Sequence, residues 1–323
     1  MFSYLIYKLN SGQNSKVLYY TQSYLSLLVP SIFYRLKLKR ELQSLNKRDD
    51  KDYILRRVDY YCKLSENTPL PQCAININRY SRKSSKVYWF DTRVLTRWFP
   101  YSLKWVFKAG DVNYVPDVPA FVKSRLICPQ NENGVILKLN KVRHFVFVKD
   151  KKTFVEKKNK VVFRGSIHGK GKRIAFFEQY FNHPMCDLGD TSSNFPERKM
   201  WKVDKMSIHK QLDYKFILAL EGNDVASNLK WIMSSNSVAV MPKPTCETWF
   251  MEGTLKPNYH YIEIKPDFSD LEERLQYYIE HPQETEAIIR NANHYTEQFK
   301  NEKRELLISL LVMNKYFKVT NQI

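Results

Sequence analysis

The feature that most constrains this sequence is a regular alternation of short apolar runs with helical patterns from Val161 onward. In chain order, VVF precedes IAFFEQYF, KFILAL precedes VASNLKWIMSS, VAVM precedes ETWFMEGTL, and HYIEI precedes LEERLQYYIEH. Two further helical stretches follow, PQETEAIIRNANHYTEQF and EKRELLISLLVMNKYF. Strands that alternate with helices of this length predict a parallel sheet with helices on both faces. The predicted fold class is therefore α/β.

The first half of the chain follows a different pattern. Residues 1–85 are basic and helical in pattern, whereas four apolar runs after Lys86 are typical of strands: VYWF, LKWVFKAG, AFVKSRLI and HFVFV. A chain of 323 residues is long enough for two domains. We therefore expect a helical N-terminal segment over 1–85, an α/β domain over 86–155 that includes parts of that segment, and a C-terminal α/β domain over 156–323.

The charge of the chain predicts anionic partners without choosing among them. The formal net charge is +19, and residues 138–173 hold 13 Lys and Arg against only Asp150 and Glu156. Nucleic acid, anionic lipid head groups and nucleotide diphosphates would all suit such a segment. A basic nucleic-acid-binding protein is thus one alternative, although no RNA or DNA module is recognisable and the aromatic residues lie within apolar runs.

Residues 17–40, VLYYTQSYLSLLVPSIFYRLKLKR, are rich in aromatic residues and end in a basic run. Two interpretations stay open: a segment that lies on a membrane with its basic end on anionic head groups, or a helix pair packed on the core. We find no signal-peptide pattern and no run of 18 apolar residues. The five cysteines are odd in number and far apart, which predicts reduced thiols and a cytosolic compartment.

Several familiar site chemistries are absent from the sequence. FRGSIHGKGKR fails the P-loop spacing, because only three residues separate Gly165 from Gly169 and Lys170 is followed by glycine. There is no G-x-G-x-x-G, G-x-S-x-G or H-E-x-x-H motif. His183 and Cys186 lack a second pair of metal ligands. No metal site is predicted.

The abrupt end of the run FILAL at Glu221-Gly222 predicts an anion site. In open α/β sheets, ligands bind beyond the carboxyl ends of the strands. Gly222 would let the chain turn there, and Ala226 and Ser227 would let a phosphate approach the free N–H groups of the next helix. A plain strand-to-helix turn is the alternative.

Four blocks together resemble the glycosyltransferases of family 90: FRGS (163–166), YKFILALEGNDVAS (214–227), the strand after Asn236-Ser237, and ETWFMEGTLKPNYHYIEI (247–264). That family includes bacterial lipopolysaccharide A proteins, fungal capsule xylosyltransferases and animal protein O-glucosyltransferases. The resemblance implies a GT-B fold, in which two Rossmann-like domains face each other across a cleft that holds the active site. It also implies transfer with inversion from a nucleotide-sugar donor, with no metal or other cofactor required.

Carried onto this sequence, the resemblance implies that Arg164 binds the diphosphate and that Gly165 and Ser166 shape its loop. Glu247 opens the block that flanks the donor sugar and ribose. The implied donor-binding residues are Arg164, Gly165, Ser166, Lys172, Arg173, Gly222, Ala226, Ser227, Asn228, Lys230 and Glu247.

Two positions depart from the family pattern. Asn228 stands where many relatives have arginine, so Lys230, Lys172 or Arg173 supplies that charge, or the donor is held differently. Glu221 stands where Asp or Arg is usual. A catalytically inactive relative of the fold therefore stays open as an alternative.

The resemblance also implies a catalytic base at the end of an apolar strand, before a short block that Phe121–Ser124 matches. Asp111 in WVFKAGD occupies that position, and Asp117 in VPDVP is the second candidate. An inverting transferase needs one carboxylate to take the proton from the acceptor hydroxyl. For Asp117, a turn-forming role between two prolines is the stronger interpretation.

Together these observations predict a metal-independent, inverting hexosyltransferase of a bacterium. Its donor would be a UDP-sugar, with UDP-glucose and UDP-galactose ahead of UDP-xylose, and its acceptor a phosphorylated glycolipid, the lipopolysaccharide or lipooligosaccharide core. We expect a cytoplasmic enzyme, peripheral on the inner face of the inner membrane, with no nucleic-acid partner.

Overall fold

A computed structural model describes residues 11–83, 85–192 and 196–323, so the predicted segment 1–85 lies partly outside the described residues. The helices are α1 (Lys16–Leu27), α2 (Ser31–Gln43), α3 (Lys51–Tyr61), α4 (Lys86–Thr96), α5 (Lys141–His144), α6 (Gly171–Tyr180), α7 (Ile208–Gln211), α8 (Leu229–Met233), α9 (Leu271–Glu280), α10 (Pro282–Glu297) and α11 (Glu302–Val319). The strands are β1 (Ile75–Asn76), β2 (Lys104–Trp105), β3 (Ala120–Val122), β4 (Ser124–Leu126), β5 (Gly134–Ile136), β6 (Lys158–Gly165), β7 (Cys186–Asp190), β8 (Tyr214–Leu218), β9 (Val238–Met241), β10 (Cys246–Thr248) and β11 (Ile262–Glu263).

The chain divides into two compact units, each built from separate stretches of sequence. The sheet unit contains residues 11–14, 143–192, 196–245 and 252–298 of the described chain. The helical unit contains residues 15–83, 85–142, 246–251 and 299–323. The expected boundary at 85 falls inside the helical unit, and the chain returns to that unit after residue 298.

The sheet unit is built around five parallel strands in the order β11-β9-β8-β6-β7, which confirms the predicted α/β class and parallel sheet. Val161, Phe216 and Val238 are aligned across three strands and join one hydrophobic core with α6, α9 and α10. The aligned residues of the opposite face, Val162, Ile217 and Ala239, are equally buried. Because both faces are covered, these strands are continuous apolar runs. The polar strand β7, CDLGD, was not predicted.

The helical unit is organised around α11, an 18-residue helix that contacts α2, α3 and α4. The predicted strand VYWF is wrong, because these residues open α4, which buries Tyr88, Asp91 and Leu95 at helical spacing. The described strands of this unit pair only two by two: β1 with β2, β3 with β5, and β4 with β10. A second Rossmann-like domain and the GT-B arrangement therefore stay predictions.

A second correction concerns ETWFMEGTL, which was predicted to be a helix. Its first residues instead belong to β10, which pairs antiparallel with β4 in the register Cys246 with Leu126 and Thr248 with Ser124. The partner strand lies about 120 positions earlier in the chain, so local periodicity carries no signal of this pairing.

Candidate active site

The candidate site of the sheet unit lies where β6 and β8 end. These strands are parallel neighbours, with Val162 opposite Ile217, so the loops that follow them leave the sheet at the same edge. One loop covers residues 166–170 and the other residues 219–228. The carboxyl edge of a parallel sheet is where open α/β folds bind their ligands.

Arg173, in the first turn of α6, links these two loops. Its Nη1 donates to the carbonyl oxygen of Ser166 at 2.7 Å, its Nη2 to that of Leu220 at 2.7 Å, and its Nε to that of Glu221 at 3.1 Å. All three acceptors are backbone carbonyls, which do not neutralise the charge of the guanidinium. Burial, and then the charge of nearby Arg143, lower the pKa of Arg173 to about 10, so the group stays protonated at neutral pH.

The glycines of the two motifs make room for this arginine. A Cβ on Gly222 would lie 3.2 Å from Nη2 of Arg173, and one on Gly165 would lie 2.9 Å from Cζ of Phe163, over whose ring the guanidinium packs. Gly222 is not among the glycines with positive φ. The chain bends at Gly222, as predicted, and the close approach of Arg173 is a second reason for a small residue there.

Two lysines extend the positive charge at this edge. Lys172 is exposed and lies 3.1 Å from Oε2 of Glu221, while the ammonium of Lys170 donates to Oδ1 of Asn223. We call Arg143, Lys170, Lys172 and Arg173 the edge cluster. Glu221 is bound elsewhere as well, because its carboxylate accepts hydrogen bonds from Thr245. Arg173 and Lys170 have neutral partners, carbonyl oxygens and the amide oxygen of Asn223, so positive charge that suits a diphosphate remains at this edge.

The helix after Gly222 differs from the prediction. α8 begins at Leu229 and has only five residues, while Ala226 is buried and Ser227 lies half-buried in a turn. The side-chain amide of Asn228 donates to the carbonyl oxygen of Leu218 at 2.8 Å and ties this turn to the end of β8. Side chains, rather than the end of a long helix, supply the positive charge at this edge.

Arg164 is held away from the loops by the neighbouring strand. Its Nη2 lies 2.5 Å from Oδ1 of Asp187 on β7, and its Nη1 donates to the backbone carbonyl of the same residue. A Cβ on Gly189 would lie 1.9 Å from Cγ2 of Val203 and 3.0 Å from Cδ of Arg164, so the glycine leaves room for both side chains. Burial raises the pKa of Asp187, but hydrogen bonds from Tyr214 and Arg164 outweigh it and hold that pKa below its usual value. A carboxylate thus matches the charge of Arg164, and its diphosphate-binding role stays a prediction.

Lys230 and Glu247 also have buried partners of opposite charge. Nζ of Lys230 lies 2.5 Å from Oε1 of Glu252 within the sheet unit, and both side chains are buried. In the helical unit, Oε1 of Glu247 lies 2.7 Å from Nε of Arg125, and its second oxygen accepts a hydrogen bond from Tyr60. Both residues are thus paired with a charge of opposite sign, and their donor-binding roles also stay predictions.

The candidate base Asp111 belongs to the helical unit. Its Oδ1 lies 2.6 Å from Nζ of Lys123, which is buried, whereas the carboxylate is one-third exposed. The Oγ of Ser124 accepts from the backbone N–H of Val112, so the turn that carries Asp111 is fixed to the start of β4. Asp117 is exposed, and its carboxylate accepts no hydrogen bond within the described part of the chain.

Comparison with known proteins decides the family. The model of glycosyl transferase family 90 matches residues 136–320. The O-glucosyltransferase LpsA of Dichelobacter nodosus is 44% identical over 264 residues, which cover 82% of this chain and 82% of that protein. The chain belongs to glycosyl transferase family 90. Protein O-glucosyltransferase 3 of Rattus norvegicus is 23% identical over 168 residues, 51% of this chain and 33% of that protein.

Membership of glycosyl transferase family 90 confirms the resemblance and makes the chain a glycosyltransferase, with a sugar donor and an acceptor substrate. Uncharacterized protein 035R of Invertebrate iridescent virus 3 is a more distant match. That protein is 28% identical over 163 residues, 43% of this chain and only 15% of its own length. The basic charge is therefore to be explained within a transferase.

Three residues beside the candidate groups were not among the predicted site residues: Lys123, which holds Asp111, and Arg143 and Lys170 of the edge cluster. The concentration of charge over residues 138–173 was the available signal for the last two. Among the described residues, no three His, Cys, Asp or Glu side chains converge in a way that could hold a metal ion.

Proposed function

We propose that this chain transfers glucose from UDP-glucose to a hydroxyl group of a lipopolysaccharide or lipooligosaccharide core, with inversion and without a metal ion. The observation that carries the proposal is Arg173, a half-buried guanidinium whose partners are carbonyls and which lies at the carboxyl edge of a parallel sheet. A UDP leaving group develops negative charge as its bond to the sugar breaks. Fixed cations at that point stabilise the transition state.

In the proposed step, the acceptor hydroxyl oxygen bonds to the anomeric carbon on the face opposite the diphosphate. The bond between that carbon and the diphosphate oxygen breaks, and its electron pair leaves with UDP. The hydroxyl proton passes to the carboxylate of Asp111, which acts as general base. Lys123 holds Oδ1 of that carboxylate at 2.6 Å and fixes its orientation.

Glucose is favoured as the transferred sugar because the relative with 44% identity is an O-glucosyltransferase. Galactose is the next candidate, and the pentose xylose comes after it. The glycolipid acceptor is favoured by the resemblance to the lipopolysaccharide A branch of the family. On this proposal the enzyme works at the cytoplasmic face of a bacterial inner membrane, where both nucleotide sugars and core intermediates are available.

The test is turnover by the purified full chain, with core oligosaccharide as acceptor and UDP release as the measurement. UDP-glucose should be used in preference to UDP-galactose and UDP-xylose, and EDTA should leave the rate largely unchanged. Asp111→Asn should lower turnover by a factor on the order of a hundred, while a folded Asp117→Asn control should keep most of it.

Three results would contradict parts of this proposal. Complete loss of activity with EDTA, restored by Mn²⁺, would exclude metal independence. Loss in Asp117→Asn with normal turnover in Asp111→Asn would move the base by six positions. UDP binding without transfer to the core oligosaccharide from any of the three donors would favour the inactive relative.

A further inference from the structure

The outward faces of α1 and α2 are apolar. Neither helix contains a buried residue. The exposed fractions of the large apolar residues around their connection are 58% for Leu25, 77% for Leu28, 42% for Val29, 51% for Ile32, 54% for Phe33 and 73% for Leu36. We call these six residues the apolar ridge. Soluble proteins scatter single apolar residues over their surfaces, whereas a contiguous set marks an interaction site.

The inward faces of the same helices are attached through polar and aromatic contacts. The hydroxyl of Tyr19 donates to Oδ1 of Asp91 at 2.9 Å, and the ring of Tyr24 packs edge-on against Phe90. On α2, the hydroxyl of Ser31 accepts from Tyr101 at 2.7 Å. These contacts attach the inward faces to α4 and Tyr101, and they leave the six side chains of the ridge exposed.

Positive charge continues directly from the ridge. Lys37, Lys39 and Arg40 follow Leu36 on α2 and are all exposed. The only acidic residue between positions 16 and 43 is Glu41. An apolar ridge that ends in exposed cations matches the interface of an anionic bilayer, where acyl chains lie beneath negatively charged head groups. A second copy of this chain would bring the same cations together, so charge favours lipid.

We propose that the α1–α2 pair docks the protein on an anionic lipid bilayer, with the apolar ridge inserted at the level of the upper acyl chains and Lys37, Lys39 and Arg40 on the head groups. The mode is interfacial: no helix in the described part of the chain combines the length and apolarity that crossing a membrane requires. This inference concerns a surface outside the candidate active site and does not depend on the donor, acceptor or base proposed above.

Co-sedimentation of the full chain with vesicles tests the proposal. Wild-type protein should bind vesicles of phosphatidylethanolamine and phosphatidylglycerol, and bind vesicles of phosphatidylcholine far less. The triple variant Leu28→Ser, Phe33→Ser, Leu36→Ser should bind the anionic vesicles on the order of a hundredfold more weakly. The matched control is Val155→Ser, Met200→Ser, Ile323→Ser, whose residues are similarly exposed elsewhere and whose binding should equal wild type.

The contribution of the positive charges is tested with a second variant and its own control. Lys37→Gln, Lys39→Gln, Arg40→Gln should weaken binding about fivefold for each charge removed, and added salt should reproduce the loss. The control Lys149→Gln, Lys151→Gln, Lys160→Gln removes the same number of exposed charges from the sheet unit and should bind almost as wild type. Thermal unfolding should be alike in all four variants, because every changed side chain is exposed.

Three outcomes would overturn the proposal. The first is absence of wild-type binding to anionic vesicles. The second is equal loss in the ridge variant and its control, which would mean that binding is not local to α1 and α2. The third is a wild-type dimer in sedimentation velocity that the ridge substitutions dissociate, together with vesicle binding that they leave unchanged; the ridge would then be an interface between copies.

Discussion

Buried arginines of the helical unit and Arg173 of the sheet unit have opposite kinds of partner. In the helical unit, Arg57 pairs with Glu305 and Arg125 with Glu247, and all four side chains are at most 3% exposed. Arg173 is held by three carbonyl oxygens and lies near a second arginine. Hydrogen bonds orient all three guanidinium groups. Only Arg57 and Arg125, however, have a carboxylate partner that neutralises their charge.

This difference separates structural cations from cations that can bind a ligand. A buried ion pair is electrically complete, so an anion gains little from approaching it and loses hydration. A guanidinium that donates only to carbonyl oxygens keeps its net charge, and those hydrogen bonds already fix its orientation. Arg164 also has a carboxylate partner, Asp187, while the diphosphate role that its motif implies stays a prediction.

The largest effect is expected from removing the cation of a matched pair. Arg125→Met leaves Glu247 buried without its partner, and the free energy of unfolding should fall by about 3 to 5 kcal/mol. Urea denaturation measures it. The double variant Arg125→Met, Glu247→Met should recover much of the loss, because it removes both charges; a double variant as unstable as the single one would show that the pair's charge is not the cause.

His260 is a titratable group that, like Arg173, has no carboxylate partner, and it is buried. Burial, and then the charge of Lys256, lower the pKa of His260 to about 4, and its Nδ1 accepts a hydrogen bond from the backbone N–H of Lys256. Below pH 6.5 the histidine is protonated in the unfolded state, whereas in the folded state it is protonated only below about pH 4. The free energy of unfolding therefore decreases as the pH falls from 6.5 to 4.

From pH 7 to pH 5 this group should lower the free energy of unfolding by about 2 kcal/mol. His260→Asn keeps an acceptor and loses the titration, so its urea midpoint should depend less on pH than that of wild type over the same interval. Identical pH profiles for the two proteins would show that His260 protonates freely in the folded state.

A smaller effect, on ligand binding, distinguishes the two arginines of the sheet unit. Arg173→Lys keeps the charge but loses the fork that holds both loops, and UDP affinity by calorimetry should fall roughly tenfold to a hundredfold. Arg164→Lys, its matched control, should lower stability through Asp187 and leave UDP affinity nearly unchanged. The reverse result would support the diphosphate role that the family motif implies for Arg164.

The smallest effect concerns an exposed member of the edge cluster. Lys172 is well exposed and forms an ion pair with Glu221. Solvent therefore screens its charge, and Glu221 neutralises part of it. Lys172→Gln should weaken UDP binding only about threefold, and less at high salt. A loss as large as that of Arg173→Lys would mean that this lysine contacts the diphosphate directly.

Local sequence patterns correctly predicted the strands that are buried on both faces and the helices with a regular apolar periodicity. The apolar runs of β6, β8 and β9 and the helical periodicities of α6, α9, α10 and α11 are all present as predicted. Patterns failed where the partner is distant, as in β10, or where aromatic residues suit either state, as in VYWF, whose helix is decided by what Tyr88 and Leu95 pack against.

The sequence by itself determined the parallel sheet, the family and the basic, glycine-containing motifs that follow two of its strands. Only the tertiary structure decided which arginine keeps its charge available. Asp187 lies on β7, a polar strand without an apolar run, and it faces Arg164 only because β7 pairs with β6. Electrostatic roles depend on which charges end up adjacent, and adjacency between strands is a property of the folded sheet that spacing along the chain does not encode.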